Sequence, residues 1–413
     1  MTIPRTASRL RPFGTSIFAE MSLLAARHKS INLSQGFPDF DGPDFLKTAA
    51  CTAIQRGENQ YARTQGVPPL NEAVASWWAR GGGRELDPHA EITVTSGCTE
   101  ALAACCLGLL EPGDEVVCFE PFYDAYLADL AMAGASVRAV TLRRNASGVR
   151  FGFDEAELRS AFTSRTRAVL LNTPHNPTGK VFTRDELSLI AGLATEHDAI
   201  VIADEVYERL VFVSDRPHVS IASLPGMAER TVTLSSLGKT FSATGWKIGW
   251  AIAAPALTAG VRAAHQFLTY ASATPLQHAA AAALAGDEGV AYVAQLVRDY
   301  ADRRRYLSDA LARLGFGVAE PEGTYFVMAE HTTVSAGLGL RDASGGPADD
   351  FAMARWLIEH AGVATIPPSV FYHDKVEGRK YLRFAFCKRK ETLRAALERM
   401  ESALGTAGVR RPR

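Results

Sequence analysis

The sequence contains no apolar run long enough to cross a membrane, and its first residues, MTIPRTASRLRPFGTS, lack the apolar centre of a secretory signal peptide. It also has no excess of one charge, because 44 lysines and arginines are balanced by 45 aspartates and glutamates. Such a balance provides no basic surface for nucleic acid or for an anionic membrane. We therefore expect a cytoplasmic protein whose partners are small molecules or another protein chain.

Cysteine is scarce, and its spacing argues against a metal site. The six cysteines form no C-x-x-C motif and no His-Cys pairs with the spacing of zinc ligands, so we expect no structural metal. Most of them lie in apolar stretches such as ALAACCLGLL and EVVCFEPF, where a free cysteine behaves as a small hydrophobic residue. This usage fits a reducing compartment.

The composition and the apolar pattern predict an α/β fold. The 413 residues are 47% hydrophobic and 22% charged, which suits one large or two medium domains with a sizeable core. Thr183 and Glu186 give the stretch TRDE the form of a capping box at a helix start, and the apolar run AIVIAD follows that helix. Strand, helix and strand at this spacing predict a largely parallel sheet covered on both faces. Six short runs predict its strands: EVVCFE, SVRAVTL, RAVLLN, AIVIAD, TVTLSS and KIGWAIA.

The C-terminal third of the chain predicts a smaller α+β unit. A long helical pattern covers about residues 291–314 and ends at Gly315. The segments GFGVAE, GTYFVMA, MARWLIEHAG, YLRFAF and ETLRAALERMESAL follow it, and the glycine-rich SAGLGLRDASGGPADD between them predicts a mobile loop. We expect residues 1–45 to form an N-terminal arm and part of the small domain, residues 46–290 the large ligand-binding domain, and residues 291–413 the connecting helix and small domain.

The triple glycine that begins at Gly81 needs a separate interpretation. It follows a helical stretch that contains Trp77 and Trp78, and it lacks both the spacing and the following helix of a phosphate-binding loop. We interpret it as the end of that helix.

The stretch SSLGKTFSATGWKIGW places Lys239 and Lys247 among small, hydroxyl and aromatic residues without any acid. An unpaired ammonium is costly in a buried stretch, and a desolvated lysine loses its proton more easily and becomes a nucleophile. The alternative is a lysine that extends its amine to solvent past apolar neighbours.

Polar residues follow several of the predicted strands. Asn172 and Asn176 follow RAVLLN, Asp204 and Tyr207 follow AIVIA, and Lys239 follows TVTLSS. Ligands bind beyond the carboxyl ends of the strands in an open parallel sheet, so these side chains are expected to converge. The helix start in TSGCTEALAACC adds backbone N–H groups that suit a phosphate. An acid, an amide, a phenol, a lysine and a phosphate seat together match pyridoxal 5'-phosphate.

These motifs also resemble one protein family in their order along the chain. They are FAEMSLLA, INLSQGFPDFDGPDF, NQYARTQGVPPL, TSGCTEAL, EPFYDAY, NTPHNPTGKV, ADEVYE, SSLGKTFSATGWKIGW, GTYFVM and YLRFAFCK. The sequence resembles the fold-type I, class I/II aminotransferases that use pyridoxal phosphate, and in particular the kynurenine/glutamine/methionine aminotransferase branch. The N-succinyl-diaminopimelate aminotransferases share RLRPF, FAEM and the FPDxDGP pattern. The resemblance implies a large domain with a mainly parallel sheet between helices and a smaller α+β domain.

The resemblance implies the roles of five residues around the cofactor ring. Lys239 would form the Schiff base and then move a proton from the substrate α-carbon to the cofactor. Asp204 would pair with the pyridine nitrogen, while Asn176 and Tyr207 would contact the 3-oxygen. Tyr123 matches the aromatic residue that stacks on the ring, although such a residue is more often part of the core.

A second group of residues is implied at the phosphate. Cys98 and Thr99 match the backbone donors, and Ser236 and Lys247 complete the anion site. Tyr61 is expected to reach the phosphate from the neighbouring subunit, so the resemblance implies a homodimer with shared active sites.

Arg383 in YLRFAF matches the residue that binds the substrate α-carboxylate. A planar guanidinium binds both carboxylate oxygens and so fixes which bond of the α-carbon is broken. Asn176 and the backbone of Gly36 lie near the same carboxylate in the family, and Phe18 is a candidate for the pocket lining. Tyr270, Phe371 and Tyr372 are further candidates for that lining, and Arg63 is a candidate for binding a distal carboxylate.

The expected activity is transfer of an amino group from an L-amino acid to a 2-oxoacid in ping-pong order. The aromatic pocket suits aromatic, sulfur-containing, kynurenine-like or glutamine-like donors. N-succinyl-diaminopimelate transamination and C–S β-elimination of cysteine conjugates remain alternatives. A ligand-sensing regulator would need a DNA-binding segment, which we do not expect here because few residues precede FAEMSLLA and the charge shows no basic footprint.

Overall fold

A seven-stranded sheet forms the centre of the larger part of the molecule. The structure, a computed structural model, describes residues 6–408. The sheet has the strand order β2-β10-β9-β8-β7-β3-β4, and β10 is antiparallel to both of its neighbours while the other strands are parallel. The strands of the described residues are β1 (Ile31–Asn32), β2 (Ile92–Thr95), β3 (Glu115–Glu120), β4 (Ser136–Thr141), β5 (Arg143–Arg144), β6 (Phe151–Gly152), β7 (Thr166–Asn172), β8 (Ile200–Asp204), β9 (Thr231–Ser236), β10 (Gly249–Ile252), β11 (Gly317–Val318), β12 (Phe326–Glu330), β13 (Val363–Ala364) and β14 (Tyr381–Ala385).

The six strands predicted from apolar runs are all present, and the α/β prediction is confirmed. The runs EVVCFE and TVTLSS coincide with β3 and β9. Every residue of β3, β8 and β9 is buried, as expected for parallel strands that are covered on both faces. The run KIGWAIA was expected to begin its strand at Lys247, but β10 begins at Gly249 because Lys247 has a left-handed backbone with φ of 53°.

Helices cover both faces of the sheet and build the smaller unit. The predicted capping box is confirmed, since the Thr183 hydroxyl accepts a hydrogen bond from the Glu186 N–H at 3.2 Å and the Glu186 carboxylate accepts one from the Thr183 N–H at 2.8 Å. The helices of the described residues are α1 (Ile17–Arg27), α2 (Asp44–Gln55), α3 (Pro68–Arg80), α4 (Cys98–Leu109), α5 (Asp124–Ala133), α6 (Glu155–Ala161), α7 (Arg184–Glu196), α8 (Leu237–Thr240), α9 (Pro255–Leu268), α10 (Thr274–Ala285), α11 (Asp287–Arg313), α12 (Thr332–Gly337), α13 (Asp350–Trp356), α14 (Lys375–Gly378) and α15 (Lys390–Thr406).

The smaller unit is built on a second sheet. Strands β11, β12 and β14 form an antiparallel sheet, and helices α1, α11, α13 and α15 share one apolar core with it. Strand β1 pairs in parallel with β13, which brings part of the N-terminal segment against the small unit. The domain limits themselves stay predictions, and residues 1–5 and 409–413 of the expected units lie outside the described residues.

Two helical predictions were refined by the structure. The connecting helix α11 begins at Asp287, a turn earlier than expected, and Gly315 follows its end with φ of 94°. The stretch SAGLGLRDASGGPADD was expected to be a loop throughout, but its first three residues belong to α12. Beyond α12, the Asp342 carboxylate accepts hydrogen bonds from the N–H groups of Ser344 and Gly346, which form a tight turn. Within residues 6–408, no helix combines the length and the apolar character that a membrane crossing requires.

Candidate active site

A cavity of about 290 Å³ lies at the carboxyl ends of β7, β8 and β9. It is closed on one side by α4 and on the other by residues of the small unit, including Phe326 and Arg383. The sequence-predicted site residues that line this single cavity are Phe18, Gly36, Cys98, Thr99, Tyr123, Asn176, Asp204, Tyr207, Ser236, Lys239, Lys247 and Arg383. Tyr61 is the member of the predicted set that does not line it.

Lys239 lies in the short helix α8, directly after β9. Its amine projects into the cavity, where the Gly36 carbonyl oxygen is 3.5 Å away and the rings of Tyr325 and Tyr207 are 5.6 and 5.9 Å away. Among the described residues it forms no ion pair with a carboxylate. Burial lowers the pKa of this amine, so that Lys239 loses its proton more readily than a surface lysine does.

Asp204 is the last residue of β8 and is held by three donors. Its carboxylate accepts hydrogen bonds from the Tyr126 hydroxyl at 2.6 Å, from the Val206 N–H at 3.2 Å and from the Cys98 thiol at 3.6 Å. Burial raises the pKa of the carboxyl group, and the Tyr126 and Val206 hydrogen bonds oppose that rise. A fixed carboxylate in such a place suits a cationic partner in the cavity.

The sequence analysis missed Tyr126. It lies in α5, three residues after Tyr123, and the two rings meet edge to face with centroids 5.7 Å apart. Residues three apart share one face of a helix, so the EPFYDAY motif contained a signal for a second cavity tyrosine. The signal was not sufficient, because the same spacing is typical of ordinary core residues.

Arg383 lies on β14, and its guanidinium reaches across to the large unit. It donates hydrogen bonds to the Asn176 side-chain oxygen at 3.2 Å and to the Ser34 carbonyl oxygen at 2.8 Å. The rings of Phe326 and Phe18 lie 4.2 and 5.0 Å from the guanidinium carbon. Burial lowers the pKa of Arg383 to about 10, and its Nε has no hydrogen-bond partner in residues 6–408. A buried guanidinium that lines a cavity suits an anionic ligand group.

Asn172 fixes the loop that carries Asn176. Its side-chain amide donates to the Asp204 carbonyl oxygen at 2.8 Å, and its side-chain oxygen accepts the Asn176 N–H at 2.7 Å. Asn176 is therefore positioned relative to β8, which also ends at Asp204.

The start of α4 provides a seat for an anion. No side chain of the described residues caps this helix, and its first residues, Cys98 and Thr99, line the cavity. The Lys247 amine donates a hydrogen bond to the Thr99 hydroxyl at 3.1 Å. Gly97 precedes the helix with φ of 80°, and a Cβ atom there would lie 3.1 Å from Lys247 Cε, so glycine keeps this space open. Ser236, at the end of β9, lines the same cavity.

The remaining pocket candidates lie in different places. Phe371 backs the cavity wall, with its ring 5.8 Å from that of Phe18. Tyr372 is buried in the interior and Tyr270 lies on the surface, so neither lines the cavity. Tyr61 is 88% exposed and its ring contacts Tyr270 at 5.6 Å, beside Arg63 in a shallow surface depression.

Comparison with known proteins gives a consistent result. The family model "Aminotransferase class I and II" matches residues 28–400. A probable N-succinyldiaminopimelate aminotransferase of Mycobacterium tuberculosis is 46% identical over 404 residues, which cover 96% of this chain and 98% of that protein. The methionine aminotransferase of Escherichia coli is 40% identical over 95% of this chain and 97% of its own. The solved structure of the Mycobacterium tuberculosis N-succinyldiaminopimelate aminotransferase superposes with a TM-score of 0.90, at 45% identity, over 96% of this chain and all (100%) of that one.

Proposed function

The chain belongs to the class I and II aminotransferases and is a transaminase, and we propose that it holds pyridoxal 5'-phosphate in the cavity between its two units. The observation that carries this proposal is the Lys239 amine, which points into the cavity without a carboxylate partner among the described residues. A buried lysine of lowered pKa is suited to bind an aldehyde through its nitrogen.

The donor set fits the ring of the cofactor. Lys239 would hold it covalently through the side-chain nitrogen, and Asp204 would face the ring nitrogen as its counter-charge. Asn176 and Tyr207 would contact the 3-oxygen, and Tyr123 would cover one face of the ring. When bound, pyridoxal phosphate supplies a conjugated ring that takes up the electron pair left when a proton leaves the substrate α-carbon.

The anion seat fits the phosphate. The N–H groups of Cys98 and Thr99 would donate to it from the start of α4, and the Ser236 hydroxyl would add a further donor. The Lys247 amine, already at the Thr99 hydroxyl, would supply a point charge. We propose a homodimer in which Tyr61 of the partner subunit completes this site, because Tyr61 does not reach the cavity of its own subunit.

Arg383 would orient the substrate. Its guanidinium group, which is held beside Asn176 at the cavity, can bind the α-carboxylate in a bidentate manner. The carbonyl oxygen of Gly36 lies 3.5 Å from the Lys239 amine. A carboxylate held at Arg383 would place the α-carbon in the cavity that Lys239 also lines, and the Lys239 amine, freed when the substrate amine takes its place, would remove the α-proton as a base of lowered pKa. One site serves both half-reactions, so the product of the donor leaves before the acceptor binds, which is a ping-pong order.

The lining of the cavity favours an uncharged donor side chain. Phe18, Phe37 and Phe326 form apolar walls, and in the described part of the chain the cationic residues of the lining are Lys239, Lys247 and Arg383. Each of these three cations already has a role at the cofactor or at the α-carboxylate. We therefore propose aromatic, sulfur-containing, kynurenine-like or glutamine-like amino acids as donors, with a 2-oxoacid as acceptor.

A second candidate is N-succinyl-diaminopimelate, which the 46% identity to the Mycobacterium tuberculosis protein favours. Its distal carboxylates would need a cation that this subunit's cavity does not provide, and Arg63 of the partner subunit would be that cation. A donor panel with the wild-type enzyme and with Arg63→Gln separates the two candidates. Loss of the N-succinyl-diaminopimelate reaction alone in the variant supports the second candidate. Release of pyruvate from a cysteine conjugate would reveal β-elimination.

The cysteines fit the proposed cytoplasmic location. All six belong to the described residues and are free thiols, four of them buried. This state is expected in a reducing compartment.

The cofactor proposal is tested on the protein without an activity assay. After incubation with pyridoxal phosphate and borohydride, we expect mass spectrometry to find the cofactor attached to the peptide that contains Lys239. Lys239→Ala should abolish the attachment, and also the yellow colour that the cofactor gives the wild-type protein before borohydride is added. Lys180→Ala is the matched control, because Lys180 is buried but paired with Glu186 at 2.7 Å outside the cavity. A colourless wild-type protein, or attachment that persists in Lys239→Ala, contradicts the proposal.

A further inference from the structure

A buried pair of ionisable side chains joins the start of α4 to the end of α9. Glu100 is the third residue of α4, next to Thr99 of the anion seat, and His265 lies in the last turn of α9. His265 Nδ1 is 2.6 Å from a carboxylate oxygen of Glu100, and the side chains are 0% and 8% exposed. Neither residue lines the active-site cavity, so the pair can act on that cavity only through its neighbours.

The second ring nitrogen of His265 shows where a hydrogen is. Nε2 lies 2.7 Å from the Thr64 carbonyl oxygen. A carbonyl oxygen only accepts hydrogen bonds, so Nε2 carries a hydrogen and Nδ1 is left to face the acid. If that acid is ionised, Nδ1 must carry a second hydrogen, because an ionised carboxylate also only accepts.

The surroundings of Glu100 favour its ionised form. In addition to His265, the Thr269 hydroxyl donates to one carboxylate oxygen at 2.6 Å, and the Ser96 N–H donates to the other. Burial raises the pKa of Glu100, but these hydrogen bonds bring it below its usual value. Burial and the Arg262 cation lower the pKa of His265, but the hydrogen bond and the charge of Glu100 bring it above its usual value. The pair is therefore an imidazolium beside a carboxylate.

An unpaired carboxylate at Glu100 would oppose an anion at the seat. The first turn of a helix is its positive end, so a carboxylate there competes with a bound phosphate for the same favourable potential. Glu100 already accepts the N–H of Ser96, which precedes Gly97 of the cavity lining. The imidazolium of His265 cancels the charge of Glu100 and leaves the positive end of α4, together with Lys247, to the phosphate.

His265 also contacts the segment that carries Tyr61. Residues 56–67 connect α2 to α3, and the Thr64 carbonyl oxygen that His265 contacts lies three residues after Tyr61. The carbonyl oxygen of His265 accepts the N–H of Tyr270 at 3.3 Å, and the Tyr270 ring meets the Tyr61 ring edge to face at 5.6 Å. In the proposed homodimer, this segment would bring Tyr61 to the anion seat of the other subunit.

We propose that His265, as an imidazolium at neutral pH, is a positioning residue for the cofactor phosphate: it neutralises Glu100 beside the anion seat of its own subunit and holds the Tyr61 segment for the partner subunit. This inference rests on the proposed binding of pyridoxal phosphate and on the proposed homodimer. It assigns a role to two residues that touch neither the cofactor nor the substrate.

Removing first one charge and then both separates neutralisation from a general structural role. His265→Gln leaves Glu100 as an unpaired carboxylate, so the dissociation constant of pyridoxal phosphate, measured by absorption titration, should rise about tenfold. Adding Glu100→Gln to that variant removes the negative charge and should recover most of the loss. Glu100→Gln alone should bind the cofactor as tightly as the wild type, because its amide can donate to a neutral His265 ring and still accept the Ser96 N–H.

Pyridoxal, which lacks the phosphate, shows whether the effect lies at the anion seat. Its affinity should be the same in the wild type and in His265→Gln. The matched control is His331→Gln in the small unit, which should leave the affinity for pyridoxal phosphate unchanged. His331 is as buried as His265, but its ring nitrogens contact the Arg379 carbonyl oxygen at 2.9 Å and the Ser335 hydroxyl at 3.2 Å.

Three results would overturn the inference while the proposed cofactor stands. They are equal affinity for pyridoxal phosphate in the wild type and in His265→Gln, a double variant that binds no better than His265→Gln, and an equal loss of pyridoxal affinity. A wild type that binds no pyridoxal phosphate would overturn the proposed cofactor and this inference with it.

A further measurement does not require His265→Gln to fold. A histidine whose pKa is raised in the folded protein stabilises the fold below its unfolded pKa, about 6.5, and loses that contribution as the pH rises through the folded pKa. The denaturation midpoint of the wild type should therefore fall relative to that of Glu100→Gln between about pH 6 and pH 9, at fixed protein and cofactor concentrations. A constant difference between the two midpoints would show that His265 is not an imidazolium.

Discussion

Asp204 illustrates how a residue's surroundings prepare it for chemistry. A carboxylate at the end of a parallel strand could be a simple helix cap, but three donors from different elements converge on this one. The Tyr126 hydroxyl, at 2.6 Å, forms the shortest of these contacts. Because Tyr126 donates to the charged form, it favours ionisation of Asp204 and opposes the rise in the pKa of this carboxyl that burial causes.

Tyr126→Phe should therefore weaken cofactor binding. A hydrogen bond to a charged group contributes about 1.5–3 kcal/mol, which corresponds to roughly a tenfold or larger rise in the dissociation constant of pyridoxal phosphate. An absorption titration of the protein with pyridoxal phosphate measures this dissociation constant. Tyr300→Phe is the control, because the buried Tyr300 hydroxyl has no partner in the described part of the chain. Equal affinities in the two variants would show that Tyr126 does not support Asp204.

At the scale of single residues, the sequence predicted the location of side chains that come directly after a strand. Asp204 and Lys239 each follow an apolar run, and sheet geometry alone brings those positions to one edge. Tyr126 could not be predicted in the same way, because its contact depends on how α5 is rotated against β8. Tyr372 was wrongly expected in the pocket for the same reason, since the sequence does not show which side of a loop faces the cavity.

Helix α5 carries an acid that has no evident partner. Asp129 is 5% exposed and one of its carboxylate oxygens lacks a hydrogen bond among residues 6–408. Burial, followed by the charge of Asp124, raises the pKa of Asp129 to about 7. A carboxyl group whose pKa is higher in the folded protein stabilises the fold below its unfolded pKa, near 4, and that contribution is lost as the pH rises through 7.

Asp129→Asn should therefore stabilise the protein in a pH-dependent manner. From the two pKa values, the advantage of the variant in the free energy of unfolding should grow by about 2–3 kcal/mol between pH 5 and pH 8. Chemical denaturation of the wild type and the variant at both pH values measures the two free energies of unfolding. Asp215→Asn, at a side chain that is 75% exposed, should show no such trend. A constant difference between wild type and Asp129→Asn would mean that Asp129 ionises normally.

At the scale of elements, a strand or helix was predicted more accurately when its run of apolar residues was longer. Fully buried strands such as β3 and β9 are predicted to the residue because four of the six positions in each are apolar or β-branched. The pair β1 and β13 spans only two residues per strand, which is too short for any periodicity. The last three residues of α12 were expected to be loop, because the helix is short and glycine-rich sequence follows it.

On the surface of the whole molecule, large apolar side chains gather near Tyr61. Tyr61 is 88% and Phe267 86% exposed, and Leu268 and Tyr270 follow at the end of α9. Contiguous exposed apolar residues are typical of an interface. The proposed homodimer would bury this surface and would bring Tyr61 to the phosphate seat of the other subunit.

Phe267→Glu should then produce a monomer with weakened cofactor binding, because a charge would be buried at the interface and Tyr61 of the partner subunit would be lost from the site. Analytical ultracentrifugation gives the mass, and an absorption titration gives the cofactor affinity. Val376→Glu is the control at a side chain that is 62% exposed elsewhere. A Phe267→Glu dimer with unchanged cofactor affinity would place the interface on another surface.

The distribution of the free thiols has a practical consequence. Cys51, on α2, is the exposed one of the six, whereas Cys98 is partly buried beside Asp204 and the other four are buried. Burial raises the pKa of the Cys98 thiol well above its usual range, which suppresses its reactive thiolate form. A maleimide dye at neutral pH should thus label a single position per chain without any engineered cysteine. Two such dyes in a homodimer would report the distance between the subunits by energy transfer.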